Sequence, residues 1–96
     1  MSASLSTHVL DTAAGAPAAG VTVELLRGGD PVAHARTDAD GRARLAESLE
    51  PGLYRLVFHP PSTFFHRVEL EIELVDGHYH VPLLVSPFSC ASYRGS

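Results

Sequence analysis

The stretch Arg67-Val-Glu-Leu-Glu-Ile-Glu-Leu74 alternates apolar and acidic residues without a break. Successive side chains of an extended strand point to opposite faces. Val68, Leu70, Ile72 and Leu74 therefore share one face, and Glu69, Glu71 and Glu73 share the other. This is a strand with one face toward a core and one toward water. Asp76-Gly77 follows as a hairpin turn into His78–Val85, and Ser86-Pro-Phe-Ser leads to a last short strand at Cys90–Arg94.

The same grammar runs through the rest of the chain. Leu5, Thr7 and Val9 alternate with Ser6, His8 and Leu10, and Val21, Val23 and Leu25 alternate with Thr22 and Glu24. Leu53–Phe58 puts Tyr54, Leu56 and Phe58 on one side. Val32–Thr37 and Arg42–Leu45 read as weaker strands, and Ala46–Gly52 as a turn of helix at most. Gly and Pro punctuate Asp11–Gly20, Gly28–Pro31 and Asp38–Gly41, and the paired prolines make His59–Thr63 a loop. No amphipathic helix longer than two turns can be placed. The pattern predicts an all-β fold: an antiparallel two-sheet sandwich of seven or eight strands.

Ninety-six residues make one domain, spanning 1–96. A chain this short buries roughly 60–65% of its unfolded surface, and its one cysteine excludes an internal disulfide, so oligomerisation is an expected source of stability. A formal charge of −4 without a basic cluster argues against a nucleic-acid partner. The longest apolar run, Val81–Val85, is far short of the ~20 residues that span a bilayer, and no signal-peptide pattern opens the chain. The expectation is a cytoplasmic protein without a membrane partner, a setting that suits a free Cys90.

Candidate chemistry concentrates near the end. His78 and His80 fall on one strand face, and the chain closes on the polar Tyr93-Arg94-Gly95-Ser96, which reads as a terminus tied down by packing. Taken singly, these residues are ordinary. A lone His8 is more often a strand-surface residue, Arg42 after Asp-Gly a solvated turn residue, and a terminal serine loose. His8, His78 and His80 could be read as a zinc site, but no acidic residue is patterned beside them, so no metal is expected. His34, His59 and His66 read as solvated, Glu69, Glu71 and Glu73 as a wet strand face, and Cys90 as a small buried hydrophobe.

Taken together, Leu5-Ser-Thr-His-Val-Leu-Asp-Thr12, Asp38-Ala-Asp-Gly-Arg42, His78-Tyr-His-Val-Pro-Leu-Leu84 and Tyr93-Arg-Gly-Ser96 carry a likeness. The chain, from about Leu5 to Ser96, resembles the 5-hydroxyisourate hydrolases, the transthyretin-related enzymes of urate breakdown. The resemblance implies an eight-stranded sandwich assembled as a homotetramer, a dimer of dimers with sites between dimers. It also implies hydrolysis of 5-hydroxyisourate to 2-oxo-4-hydroxy-4-carboxy-5-ureidoimidazoline without a cofactor. By motif position the catalytic set is His8, Arg42, His80 and Ser96, with His8, Arg42 and Tyr93 also binding substrate. Family members usually carry a short surface helix after the Tyr-Arg-x-x-Phe strand. Only His59–His66 stands in its place, so the helix is expected to be shortened or absent.

Opening the ring amide needs an activated water, a stabilised oxyanion and a proton for the leaving nitrogen. Histidine titrates near 6.5 when unperturbed, and an adjacent arginine keeps it neutral and basic at pH 7. On this reading His80 activates water with Ser96 orienting it. His8 orients substrate or relays protons, Arg42 stabilises the oxyanion, and Tyr93 adds ring contact and a hydroxyl; the sharing of the base role between the two histidines is left open. The alternatives are a non-catalytic transthyretin-like carrier of a small ligand and a prealbumin-like interaction module. A carrier has no need of two histidines and an arginine in its channel.

Overall fold

Residues 1–95 are described by a computed structural model. Among them nine strands succeed one another: β1 (Ala3–Asp11), β2 (Ala16–Pro17), β3 (Thr22–Arg27), β4 (Asp30–Arg36), β5 (Arg42–Leu49), β6 (Gly52–His59), β7 (Val68–Leu74), β8 (Gly77–Ser86) and β9 (Ser89–Ser92). No helix occurs among the described residues. The strand beyond the expected eight is β2, a two-residue pairing of Ala16 and Pro17 with Asp11 and Leu10.

The strands form two sheets. One runs β4-β3-β6-β7; the other runs β2-β1-β8-β9, with β5 also on β1. All pairs are antiparallel except β1 with β8, which lie parallel and in unbroken register from Ala3↔Gly77 to Asp11↔Val85. A hairpin forces antiparallel pairing, whereas β1 and β8 are separated by most of the chain and are free of that constraint.

Between the sheets the alternating residues meet as read from the sequence. Leu5, Val9, Val23, Leu25, Leu56 and Phe58 have no exposed surface. Thr7 is buried among them and satisfies its hydroxyl by donating to the Val81 carbonyl at 2.6 Å. Thr37, also buried, donates to the Ala18 carbonyl at 2.7 Å and accepts the Val21 amide at 2.9 Å.

Three local expectations change. Ala46–Leu49 is strand rather than helical turn: β5 continues past Leu45 with register shifts opposite Ala3–Ser6, and Leu45 and Leu49, four residues apart, are both buried. Val68, Leu70 and Ile72 are only half-buried, while Leu74 is buried, because β7 is a sheet edge bonded to β6 alone among the described strands. His59 is not merely solvated: its Nε2 lies 2.6 Å from Glu24 Oε1 on the neighbouring strand. Where a helix was expected to be lost, the connection is held by Ser62, whose Oγ accepts the amides of Phe64 at 3.1 Å and Phe65 at 2.9 Å.

Candidate active site

Residues directly opposite one another on neighbouring strands project to the same face. β1 pairs Ser6 with His80 and His8 with Pro82 on one side, and Ser6 with Arg44 and His8 with Arg42 on the other. Since Leu5, Thr7 and Val9 are buried, Ser6, His8 and their partners on both neighbouring strands lie on the outer face of the sheet. Register alone thus brings the beginning, the middle bend and the end of the chain onto one surface.

The bend that delivers Arg42 is tightly specified. Asp38 Oδ1 accepts the amides of Asp40 at 2.9 Å and Arg42 at 3.0 Å, and the Asp38 amide donates to the Arg42 carbonyl at 2.8 Å. Gly41 adopts φ +75°, and a Cβ there would stand 2.5 Å from the Val9 carbonyl oxygen, so glycine is required twice over. The same bend presents the Asp40 carbonyl to His8, whose Nε2–H donates to it at 2.8 Å. That bond fixes the His8 ring beside Arg42.

A cleft of about 480 Å³ opens here, lined by Ser6, Arg36, Asp38, Arg42, Arg44 and His80. Three guanidiniums against one carboxylate make it electropositive in a chain whose formal charge is −4. Arg44 is paired with Glu47 at 2.7 Å, and Arg36 donates to the Gly20 carbonyl at 3.0 Å. Arg42 enters no ion pair among the described residues, leaving its planar fork for a ligand.

His80 is partly buried at this cleft, and its pKa is lowered from the ordinary 6.5. Burial is the main cause, and the positive charge of Arg42, then His8 and His78, adds to it. Its Nδ1 lies 2.9 Å from Ser6 Oγ. The same hydroxyl lies 2.9 Å from His78 Nε2, and His78 Nδ1 lies 2.7 Å from Ser4 Oγ. Both ring nitrogens of His78 are therefore occupied by serine hydroxyls.

The carboxyl-terminal motif is anchored to the same histidine. The Gly95 amide donates to the His80 carbonyl at 2.6 Å, and a Cβ on Gly95 would come within 2.7 Å of His80 Cδ2. Arg94 stacks its guanidinium over Tyr79, 4.1 Å from the ring centroid. Tyr79, in turn, accepts the Val75 amide at 3.1 Å. The terminal residues are thus tied down by packing through Gly95.

Of the residues singled out from sequence, His8, Arg42 and His80 come together on this face. Tyr93 does not line their cleft in the single chain. It lines a second cleft between β7 and β9 with Leu70, Ile72, Tyr79 and Val81, because the tail runs toward the open side of the sandwich. Ser96 lies outside the described residues. Sequence reasoning missed Ser4, Ser6, Arg36, Asp38 and Arg44. Only the β1–β8 and β1–β5 registers reveal Ser4, Ser6 and Arg44, since no local pattern marks them. Among the described residues no group of three or more His, Cys, Asp or Glu is arranged to hold a metal ion.

Comparison with known proteins adds an independent line. The family model described as the HIUase/Transthyretin family matches residues 5–95. The 5-hydroxyisourate hydrolase of Deinococcus radiodurans is 48% identical over 115 residues, covering 96% of this chain and 95% of that protein. That alignment is longer than this 96-residue chain, so the relative carries segments without a counterpart here. The structure of Klebsiella pneumoniae 5-hydroxyisourate hydrolase superposes with a TM-score of 0.90 at 36% identity, over 97% of this chain and 99% of that one. Sea bream transthyretin in complex with thyroxine superposes with a TM-score of 0.83 at 26% identity, over 95% of this chain and 93% of that one. With the family model matching nearly its whole length, the chain belongs to the HIUase/Transthyretin family.

Proposed function

We propose that this protein is a hydrolase that opens 5-hydroxyisourate to 2-oxo-4-hydroxy-4-carboxy-5-ureidoimidazoline in urate degradation, using the cleft of Arg42 and His80, the neighbouring His8 and no cofactor. The observation that carries the reading is the position of His80: a partly buried imidazole biased toward its neutral form, beside a guanidinium free of any ion pair among the described residues. The names and near-complete coverage of the relatives support the same substrate.

In this mechanism neutral His80 takes a proton from water as the water oxygen attacks the ring carbonyl carbon. The carbonyl π electrons move onto oxygen, and Arg42 donates hydrogen bonds to the resulting oxyanion. Collapse of the tetrahedral species breaks the ring C–N bond, and protonated His80 returns a proton to the leaving nitrogen. Acid–base catalysis of this kind contributes about 10²–10⁴-fold. His8, its ring fixed by the Asp40 carbonyl, orients the substrate from the strand between those of Arg42 and His80. Ser96 as a water-orienting group and Tyr93 as a substrate contact belong to the same proposal. For Tyr93 it requires the residue of a neighbouring subunit or a movement of the tail.

The assembly proposed is a homotetramer, a dimer of dimers in the cytoplasm. Edge strands β7 and β9 lie on the same side of the sandwich, each bonded to one neighbour among the described strands. The half-buried face of β7 and the exposed Phe88 are apolar surfaces suited to covering. A reducing compartment suits the free Cys90.

The likeness to a thyroxine-binding transthyretin supports a second reading as a carrier. The three guanidiniums of the cleft disfavour it for a largely apolar ligand. The test is direct: urate oxidase generates the unstable substrate, and its ultraviolet absorbance is followed with and without purified protein. Acceleration over the spontaneous decay is expected, and an unchanged decay contradicts the enzyme reading.

A further inference from the structure

Ser6 Oγ stands between two imidazole nitrogens, His78 Nε2 and His80 Nδ1, at 2.9 Å from each. A hydroxyl has one proton to give, so between two neutral rings it donates to one and accepts from the other. The tautomers of the two histidines are then coupled through it. Ser4 Oγ, 2.7 Å from His78 Nδ1, extends the same constraint by one more bond toward solvent, where His78 itself is exposed.

Two directions satisfy all three bonds. In one, His80 Nδ1–H donates to Ser6, Ser6 donates to His78 Nε2, and His78 Nδ1–H donates to Ser4; His80 Nε2 is then a bare base. In the other, every bond is reversed and His80 carries its proton on Nε2, ready to act as an acid. We infer that Ser4, His78, Ser6 and His80 form a proton-conducting chain that switches His80 between these two states, with Ser6 as its positioning residue. The inference rests on the reading of His80 as the acid–base group.

The proton balance closes. His80 Nε2 takes a proton from the attacking water and passes its Nδ1 proton to Ser6 Oγ. Ser6 passes its own to His78 Nε2, His78 passes its Nδ1 proton to Ser4 Oγ, and Ser4 releases one to solvent. The chain ends neutral and reversed. When Nε2–H protonates the leaving nitrogen, the same hops run backward and solvent resupplies Ser4. The hop neutralises an imidazolium that burial, Arg42 and His8 all disfavour. Arg36, Arg44 and Asp38 face the same cleft from β4, β5 and the bend that follows β4.

The test separates the chain from the reaction. Nitrogen-15 NMR of the His78 and His80 rings, under alkaline conditions and without substrate, reads the tautomers directly. His78→Asn is expected to shift the Nδ1–H to Nε2–H population of His80 when Ser6 is present, and to leave it unchanged in a Ser6→Ala background. A His80 tautomer indifferent to His78→Asn in the presence of Ser6 overturns the inference, whatever the activity. In turnover, Ser6→Ala is expected to lower kcat about tenfold to a hundredfold with KM little changed, and Ser6→Thr to restore most of it. The solvent isotope dependence is expected to be curved in the wild type and linear in Ser6→Ala. A Ser6→Ala enzyme with wild-type kcat and the same isotope curve also overturns it. Failure of the wild type to hydrolyse 5-hydroxyisourate, with the tautomers still coupled, would remove the proposed function and leave the chain standing.

Discussion

Gly95 presses against the imidazole of His80, its amide 2.6 Å from that residue's carbonyl and the space for a Cβ closed by His80 Cδ2 at 2.7 Å. Gly95 thus forms one wall of the histidine's setting. The atom in the way is a side chain that can turn, so a methyl group there is accommodated by moving the ring.

Gly95→Ala is therefore expected to be a catalytic lesion more than a folding lesion. A misplacement of this size costs on the order of a hundredfold in rate. Stability should change by less than about 1 kcal/mol, because the backbone bond to His80 survives. Steady-state kinetics beside thermal denaturation check this; unchanged kcat would mean that the ring position is immaterial.

Gly41→Ala should do the opposite. The added Cβ meets the Val9 carbonyl at 2.5 Å, a backbone atom that cannot swing aside, and φ is +75°. A loss of about 1–3 kcal/mol from backbone strain alone is expected in denaturant melts. Activity falls with it, because the bend sets both Arg42 and the Asp40 carbonyl that holds His8.

The pH dependence has a fixed sign. His80 is held below 6.5 by burial and then by Arg42, His8 and His78, so its basic form persists as pH falls through 6.5. The acid limb of kcat/KM should lie below that value, and a limb centred above it contradicts the assignment. The stability linkage runs the same way. Unfolded His80 takes its proton near 6.5 and the folded residue only at lower pH. Its contribution is whole above 6.5 and is lost as pH drops through the folded value.

What the sequence disclosed follows from period. The buried sets Leu5–Val9, Val21–Leu25 and Tyr54–Phe58 are local alternations, and they lie inside as read. The motif residues His8, Arg42 and His80 were legible only as a resemblance, since nothing local separates them from surface residues. Ser4 and Ser6 were not legible at all. Their role depends on a parallel register between strands about seventy positions apart, and no local pattern encodes such a register. Tyr93 lines a different cleft in the single chain for a related reason: a motif gives the order of residues but not the side of the sheet toward which the tail turns. Leu70 and Ile72 matched the pattern for burial but sit on an edge, where only a neighbour could finish covering them.

The most direct measurement is the decay of enzymatically generated 5-hydroxyisourate with His80→Asn and Arg42→Ala, each compared with wild type at a concentration where light scattering gives the same assembly. Loss of about 10²–10³-fold in kcat/KM for each variant, with assembly unchanged, is the predicted result. Wild-type rates in both variants would contradict the account and place the chemistry elsewhere on the molecule.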